Sequence, residues 1–405
     1  MKPPGRLGWA AAALAALASL GCQEQLTQPG ECPQLCPGGT PNAVEEVLQA
    51  IPNADSTFTG YALKASGALL VSSGVPTPAD TNFAIIRFSP RVDTVRFRDT
   101  VRSYTVDSIR LSLGVLGRDS LTKSVRLRLY KLPGAIDTTN LTYTGTSGFF
   151  TDANLIIETP VPDTMKTGTV TVVLKQAIDL DKLALQPADE GRLTLGVAVV
   201  APSNPTGIRL ATRLGATPPA FVTYAKPVAD NAGTTSIPIQ PQPEFNTYVS
   251  RIEPAVDPAL LTVGGAPSAR ALIRFPWPVR LRDSVSLVRA TLELTPVAPV
   301  AGLANDNGLL DARALLVDLG SKSPAFPTFT RNVPLPAGAD TVIKVEVVNL
   351  VQLWQTAGGA RPPALFLAIV PEAASFTRGV FGSTRSGTAP RLRLTYLTKF
   401  PFERP

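Results

Sequence analysis

The chain has no histidine among its 405 residues. That absence removes Ser-His-Asp and Cys-His catalysis, histidine-ligated metals and the usual general base near neutral pH. Cysteine is nearly missing as well, since Cys22, Cys32 and Cys36 are the only three. Two thiols without a histidine make a poor zinc site. In an oxidising, exported setting the spacing Cys32-Pro-Gln-Leu-Cys36 suits a small local disulfide. Charged residues reach only 17%, and the formal +7 charge is scattered over isolated arginines with no dense basic run. A nucleic-acid partner is therefore not expected. The mild positive charge either favours an anionic surface polymer or serves solubility alone. No glycine-rich phosphate loop and no redox pair occurs, and no stretch beyond Cys22 is apolar for long enough to span a membrane.

What is abundant points one way. Thirty-nine prolines and 31 glycines accompany prominent Val, Leu and Thr, a mixture that suits many short strands joined by turns. The N-terminus has Lys2 and Arg6 ahead of an Ala/Leu run over residues 9–20, the pattern of an export leader. It closes on Ser19-Leu-Gly-Cys22, which resembles the lipobox of bacterial lipoproteins. That resemblance implies lipidation of Cys22 after removal of residues 1–21, and Gln23 points towards the outer membrane. The alternative is ordinary signal-peptidase cleavage near Ala18 or Gly21. Acyl chains on Cys22 would anchor an exported body to a membrane without a transmembrane helix.

The rest of the chain echoes itself in order. Asn82-Phe-Ala-Ile-Ile-Arg-Phe-Ser-Pro90 is matched by Ser268-Ala-Arg-Ala-Leu-Ile-Arg-Phe-Pro-Trp-Pro278. Ser56-Thr-Phe58 is matched by Asn246-Thr-Tyr248, and Ala68-Leu-Leu-Val71 by Ala259-Leu-Leu-Thr262. Ile109-Arg-Leu-Ser-Leu113 is matched by Ala290-Thr-Leu-Glu-Leu294, and Phe221-Val-Thr-Tyr224 by Arg393-Leu-Thr-Tyr396. A collinear series of this kind is what duplication followed by loop insertion leaves. The expected organisation is a tether over 22–53, a first module over 54–226, a Pro-rich linker over 227–243 and a second module over 244–400. Residues 42–51 fit either a short helix or a lead-in strand. Strands are expected at 68–71, 83–88, 104–113, 125–130, 155–158, 170–174, 193–199, 208–211 and 221–224. In the second module they are expected at 260–263, 269–275, 285–294, 312–317, 341–347, 364–369, 380–383 and 391–396. Residues 348–355 break the alternation and suit a helical turn that packs Trp354 inside. The fold class is all-β, with two tandem antiparallel jelly-roll-like β-sandwiches after a leader and short tether.

The second-module order Leu-Ile-Arg-Phe, Ala-Thr-Leu-Glu-Leu, Val-Gln-Leu-Trp and Pro-Arg-Leu-Arg-Leu-Thr-Tyr resembles the DNRLRE-type carbohydrate-binding modules. The resemblance covers most of the second module and, more loosely, the first. It implies an exported jelly-roll sandwich with affinity for a cell-surface or matrix polysaccharide. Exposed aromatic faces are the expected sugar platforms, and Trp277, Tyr248, Phe326 and Phe329 are the candidates. Arg87 is read as pairing with a carboxylate at the sheet edge, with ligand recognition as the alternative. A structural Ca²⁺ is conceivable at Asn305, Asp306 and Asn307, where a plain turn is the competing reading. The acid pairs Asp179/Asp181, Asp189/Glu190 and Asp306/Asp311 are read as turn residues rather than a hydrolytic pair, so no enzyme activity is expected. The functional expectation is a non-catalytic surface lipoprotein that binds polysaccharide or organises the cell envelope. Its alternative is a structural subunit acting through protein contacts.

Overall fold

A computed structural model describes residues 43–399 apart from 61–66, 76–79, 203–204, 229–235, 252–256, 267, 305, 307 and 357–359. Cys22, Cys32, Cys36, Asn305 and Asn307 lie outside the described residues, as does the leader. The chain is all-β with antiparallel sheets, as expected. The first half carries β1 (Ala43–Gln49), β2 (Ser56–Thr59), β3 (Leu69–Ser73), β4 (Thr81–Phe88), β5 (Thr94–Phe97) and β6 (Thr100–Arg118). It continues with β7 (Arg126–Leu132), β8 (Leu155–Pro160), β9 (Gly168–Leu174), β10 (Thr194–Val200), β11 (Thr206–Leu210) and β12 (Ala220–Pro227). The second half carries β13 (Ile237–Ile239), β14 (Pro243–Arg251), β15 (Leu260–Gly264), β16 (Ala269–Arg274), β17 (Val285–Leu294) and β18 (Leu309–Leu315). It ends with β19 (Ala325–Pro334), β20 (Ile343–Glu346), β21 (Ala364–Val370), β22 (Arg378–Gly382) and β23 (Arg391–Thr398). No helix among the described residues is long and apolar enough to cross a membrane.

Period-two alternation builds two separate cores. In β7, Leu127 and Leu129 are buried while Arg126 and Arg128 point outward to Glu158. The first core is wrapped by one twelve-stranded sheet. The long strand β6 pairs with β12, β9 and β11 through two register shifts, so the sheet folds over on itself. The second core lies between a four-stranded sheet, β1-β23-β17-β20, and a seven-stranded sheet, β19-β18-β21-β16-β15-β22 with β2 on β16. The helix Val348–Thr356 seals one end and buries Trp354 in that core, as the broken alternation implied.

Strand by strand, the second half repeats the first. The pairs β3/β15, β4/β16, β6/β17, β10/β21 and β12/β23 occupy equivalent places, and the quoted sequence echoes fall on such pairs. One feature breaks the tandem order. In an unexchanged repeat, β1 and β2 would serve the first core, and β13 and β14 the second. Instead β1 pairs β23 and β2 pairs β16. Reciprocally, β13 pairs β12 and β14 pairs β4. Each half thus lends its leading two-strand arm to the other. The stretch 43–59, expected to be tether and the start of the first module, completes the second core. Residues 237–239 of the expected linker, and 243–251, complete the first.

The repeated arginine of Ile-Arg-Phe fastens each borrowed arm. Arg87 pairs with Glu244 at the start of β14 at 2.6 Å, which is the carboxylate pairing expected of it. Arg274 donates to the carbonyl of Ala54, between β1 and β2, and forms a two-point bond with Asp318. Asp55 in the same arm is fully buried and accepts from Thr384 N–H at 2.8 Å and Thr384 Oγ1 at 2.6 Å. Between the cores lies a small third cluster of Leu70, Val75, Tyr248, Ala266, Leu303 and Phe376, contributed by both halves. The halves are docked as well as exchanged.

Candidate functional site

Equivalent outer sheet faces of the two halves differ in what covers them. On the second half, Ala271 and Ile273 of β16, Leu365, Leu367 and Ile369 of β21, and Leu310 and Ala312 of β18 face the core. Alternation then turns Arg270, Phe366 and Arg313 outward, side by side, since Arg313 pairs across to Phe366 and Phe366 to Leu272. They form an open groove of about 450 Å³ with Ser323, Ala325 and Glu372 on its walls. Arg270 donates twice to Glu372, at 2.6 and 2.8 Å, and its guanidinium lies 5.4 Å above the Phe366 ring. Ser268 adds a third bond to Glu372 at 2.6 Å. Arg313 is held by Asp311 at 2.5 Å. The groove therefore presents charged hydrogen-bonding groups of both signs, fixed in place, around one apolar ring.

The two acids beside this groove are driven apart. Burial raises Glu372, but the bonds from Arg270 and Ser268 outweigh it and hold the carboxyl below the usual range. Burial dominates at Asp311 and pushes it up, against the pull of Arg313. The Asp311 side chain is only 1% exposed, so it orients Arg313 from beneath and does not reach a ligand.

On the first half the corresponding positions are Phe83, Gly196 and Tyr130, by the same cross-strand pairings. Residues 136–155 fold over them and fill the face. Phe150 stacks on Phe83 at 4.1 Å and meets Tyr130 edge-on at 5.2 Å, while Tyr143 stacks on Phe83 at 5.4 Å. A Cβ at Gly196 would stand 2.4 Å from Leu132 and 2.9 Å from Phe150, so any larger residue there must push these side chains aside for the cap to close. Tyr130 is buried, although Arg126 and Arg128 on the same side of β7 face outward.

The aromatic platforms chosen from sequence meet different fates. Tyr248 is 1% exposed in the junction cluster, and its hydroxyl donates to the carbonyl of Ala373 at 2.8 Å. Burial pushes its phenol up. It offers no face to a sugar, which corrects the expectation. Trp277 is half-buried, edge-on to Trp354 at 5.3 Å and packed on the second core, so proline flanks did not expose it. Phe326 also packs on that core beneath Arg361, whose guanidinium sits 4.3 Å from the ring. Phe329, edge-on to Phe326 at 5.6 Å, is 41% exposed and stays on the surface. Both belong to β19, whose first residue Ala325 lines the groove.

Asp306 is buried. It accepts from Ser375 Oγ at 2.9 Å and from Phe376 N–H, with Arg209 3.5 Å away. A Ca²⁺ ion there would have to displace these donors. Among the described residues no three acid, cysteine or histidine side chains group to hold a metal ion. Asp189 accepts from Gly134 N–H at 2.9 Å, Gln186 N–H at 2.8 Å and Lys131 at 2.9 Å, a loop-closing role. Asp179 and Asp181 lie on the short helix Ala177–Lys182. Sequence reasoning passed over Arg270, Arg313, Phe366 and Glu372, although Ala269-Arg-Ala271 and Asp311-Ala-Arg313 carry the alternation that turns the arginines outward.

No protein-family model and no curated protein matches this chain. Among solved structures, the infectious bursal disease virus VP2 subviral particle is 11% identical over 91% of this chain and 77% of that one, with a TM-score of 0.15. The structure of infectious bursal disease virus Gt strain is 12% identical over 92% and 80%, with a TM-score of 0.13. Similarity at that level carries no argument about fold or function.

Proposed function

We propose that this protein is a non-catalytic surface lipoprotein, held to the membrane by lipid on Cys22, that binds polysaccharide through the outer groove of its second half. The observation that supports this reading is the contrast between equivalent faces. One is filled by its own aromatic side chains, and the other leaves Phe366, Arg270 and Arg313 partly open to solvent, with their acids set deeper. A partly exposed ring flanked by fixed donors and acceptors suits a pyranose, which has an apolar C–H face and a rim of hydroxyls. Seating Asp311 beneath Arg313 favours binding over hydrolysis, because the acid with the raised proton affinity is out of a substrate's reach. The test is a screen of the full chain against soluble glycans and insoluble polysaccharides, beside Phe366→Ala and Arg313→Ala. Binding at least about tenfold weaker in both variants is expected, a loss of roughly 1.4 kcal/mol. A parent that retains no glycan, or variants that bind as well as the parent, would sink the proposal.

A further inference from the structure

A second concavity lies where the two halves meet. It is a cleft of about 270 Å³ whose walls come from β6, the stretch before β9 and β11 on one side, and from Leu303, Asp306 and Phe376 on the other. Three cations stand in it. Arg118 is almost fully buried, with four donors directed at the carbonyls of Asp119, Val161, Pro162 and Thr122, and Asp163 3.5 Å from its tip. Carbonyls hold the guanidinium without neutralising it, and Asp163 is itself 42% exposed. Arg209 crosses β6 over Gly117, where a Cβ would stand 2.8 Å from its Nη2, and remains 27% exposed. Its acid, Asp306, is shared with two donors from the second half. Lys166 is exposed on the rim, and no acid pairs with it among the described residues. The exposed apolar side chain of the cleft is Leu116, with Leu303 and Phe376 buried behind the opposite wall.

From this arrangement we infer that the cleft takes one residue of an acidic glycan, a uronate. The carboxylate would sit between Lys166 and Arg209, and the pyranose C–H face would lie against Leu116. The choice of a sugar rests on the polysaccharide reading above, and the charge of the sugar rests on the cleft alone. A surplus of positive charge at a partly desolvated site selects carboxylate over hydroxyl through charge-assisted bonds. Arm exchange and the shared apolar cluster fix both walls before a ligand arrives, so little ordering is required on binding.

The experiment is calorimetric titration of the full chain with a uronic-acid hexamer, a neutral hexamer of the same length and inorganic phosphate, using the parent, Lys166→Ala, Arg209→Gln and Phe366→Ala. The expected result is uronate binding that weakens about tenfold in Lys166→Ala and in Arg209→Gln and falls with added salt. The same loss of about tenfold should appear when Lys166→Ala is introduced into Phe366→Ala, so that the cleft is read with the groove already disabled. Lys166 is exposed, so its removal leaves the fold intact and keeps the result readable even where Arg209→Gln loosens the junction. Uronate affinity unchanged in both cleft variants overturns the inference, as does equal affinity for the neutral hexamer in the cleft. Phosphate competing as well as uronate overturns the assignment to a sugar. Loss of all glycan binding in Phe366→Ala alone would overturn the cleft and leave the groove standing.

Discussion

The two outer faces share a frame and differ in what fills it. Both are built on an Ile-Arg-Phe strand with the same neighbours in the same register. Phe83 stands where Arg270 stands, Gly196 where Phe366 stands and Tyr130 where Arg313 stands. One set, with an insertion folded over it, makes a closed aromatic layer. The other makes an open groove with paired charges. The lesson is that a repeat preserves inward residues, which must fill a core, while outward residues are free to become a lid seat or a ligand site.

Exchanging the central residues should break the comparison most sharply. Gly196→Phe would drive a ring into Leu132 and Phe150 and displace both, costing about 3 kcal/mol. Phe366→Gly removes a half-exposed ring and adds backbone freedom, for about 1–2 kcal/mol. Urea unfolding of both variants checks the asymmetry. Near-equal losses would mean that the cap over the first face is loosely packed and that the faces differ less than their residues imply.

A smaller effect is expected from thinning the lid. Phe150→Ala deletes the ring that touches both Phe83 and Tyr130, and should cost about 2 kcal/mol because the site is only partly buried. It should also uncover apolar surface on the first half, seen as increased binding of a hydrophobic dye to the still-folded protein. A stable variant with no new dye binding would show the insertion closing the face without that ring.

Most of the strands were legible in the sequence, and the reason is physical. Residues 391–396 alternate cleanly because one face is dry and the other wet, and they appear as β23, while 285–294 appears as β17 with a bulge at Val288. The strands that escaped have weak local signals. Ile237-Pro-Ile239 is short and interrupted by proline, and Ala325-Phe-Pro-Thr-Phe329 carries a proline tolerated only because β19 is an edge. The exchange of arms left no local trace. Ser56-Thr-Phe58 and Asn246-Thr-Tyr248 were visible as a pair, but either would satisfy either core, and only tertiary pairing decides which. For the same reason Tyr248 read as a surface aromatic. Its burial depends on Leu70 and Phe376, neighbours supplied by opposite halves. The groove was half-legible, since alternation gives the outward residues of each strand but not which strands adjoin.

The mildest test concerns how the first arm is held. Arg274 reaches both Asp318 and the Ala54 carbonyl, so Asp318 keeps the guanidinium aimed at the arm. The bond from Arg274 holds the Asp318 carboxyl below the usual carboxylate range, with help from Gly320 N–H and against the effect of burial. A carboxyl depressed by folding stabilises the protein above its unfolded value of about 3.9. That contribution fades as pH falls through the lower folded value, because protonation then removes the charge that folding favours. Asp318→Asn should therefore be about 1–2 kcal/mol less stable than the parent at neutral pH. The gap should narrow as pH is taken below the ordinary carboxylate range, where the parent carboxyl also becomes neutral. Urea midpoints measured for both proteins from pH 7 down to about pH 3 follow this convergence, with the window set by the same reference value. A gap that stays constant with pH would mean that Asp318 acts through shape rather than charge, and that Arg274 holds the borrowed arm without it.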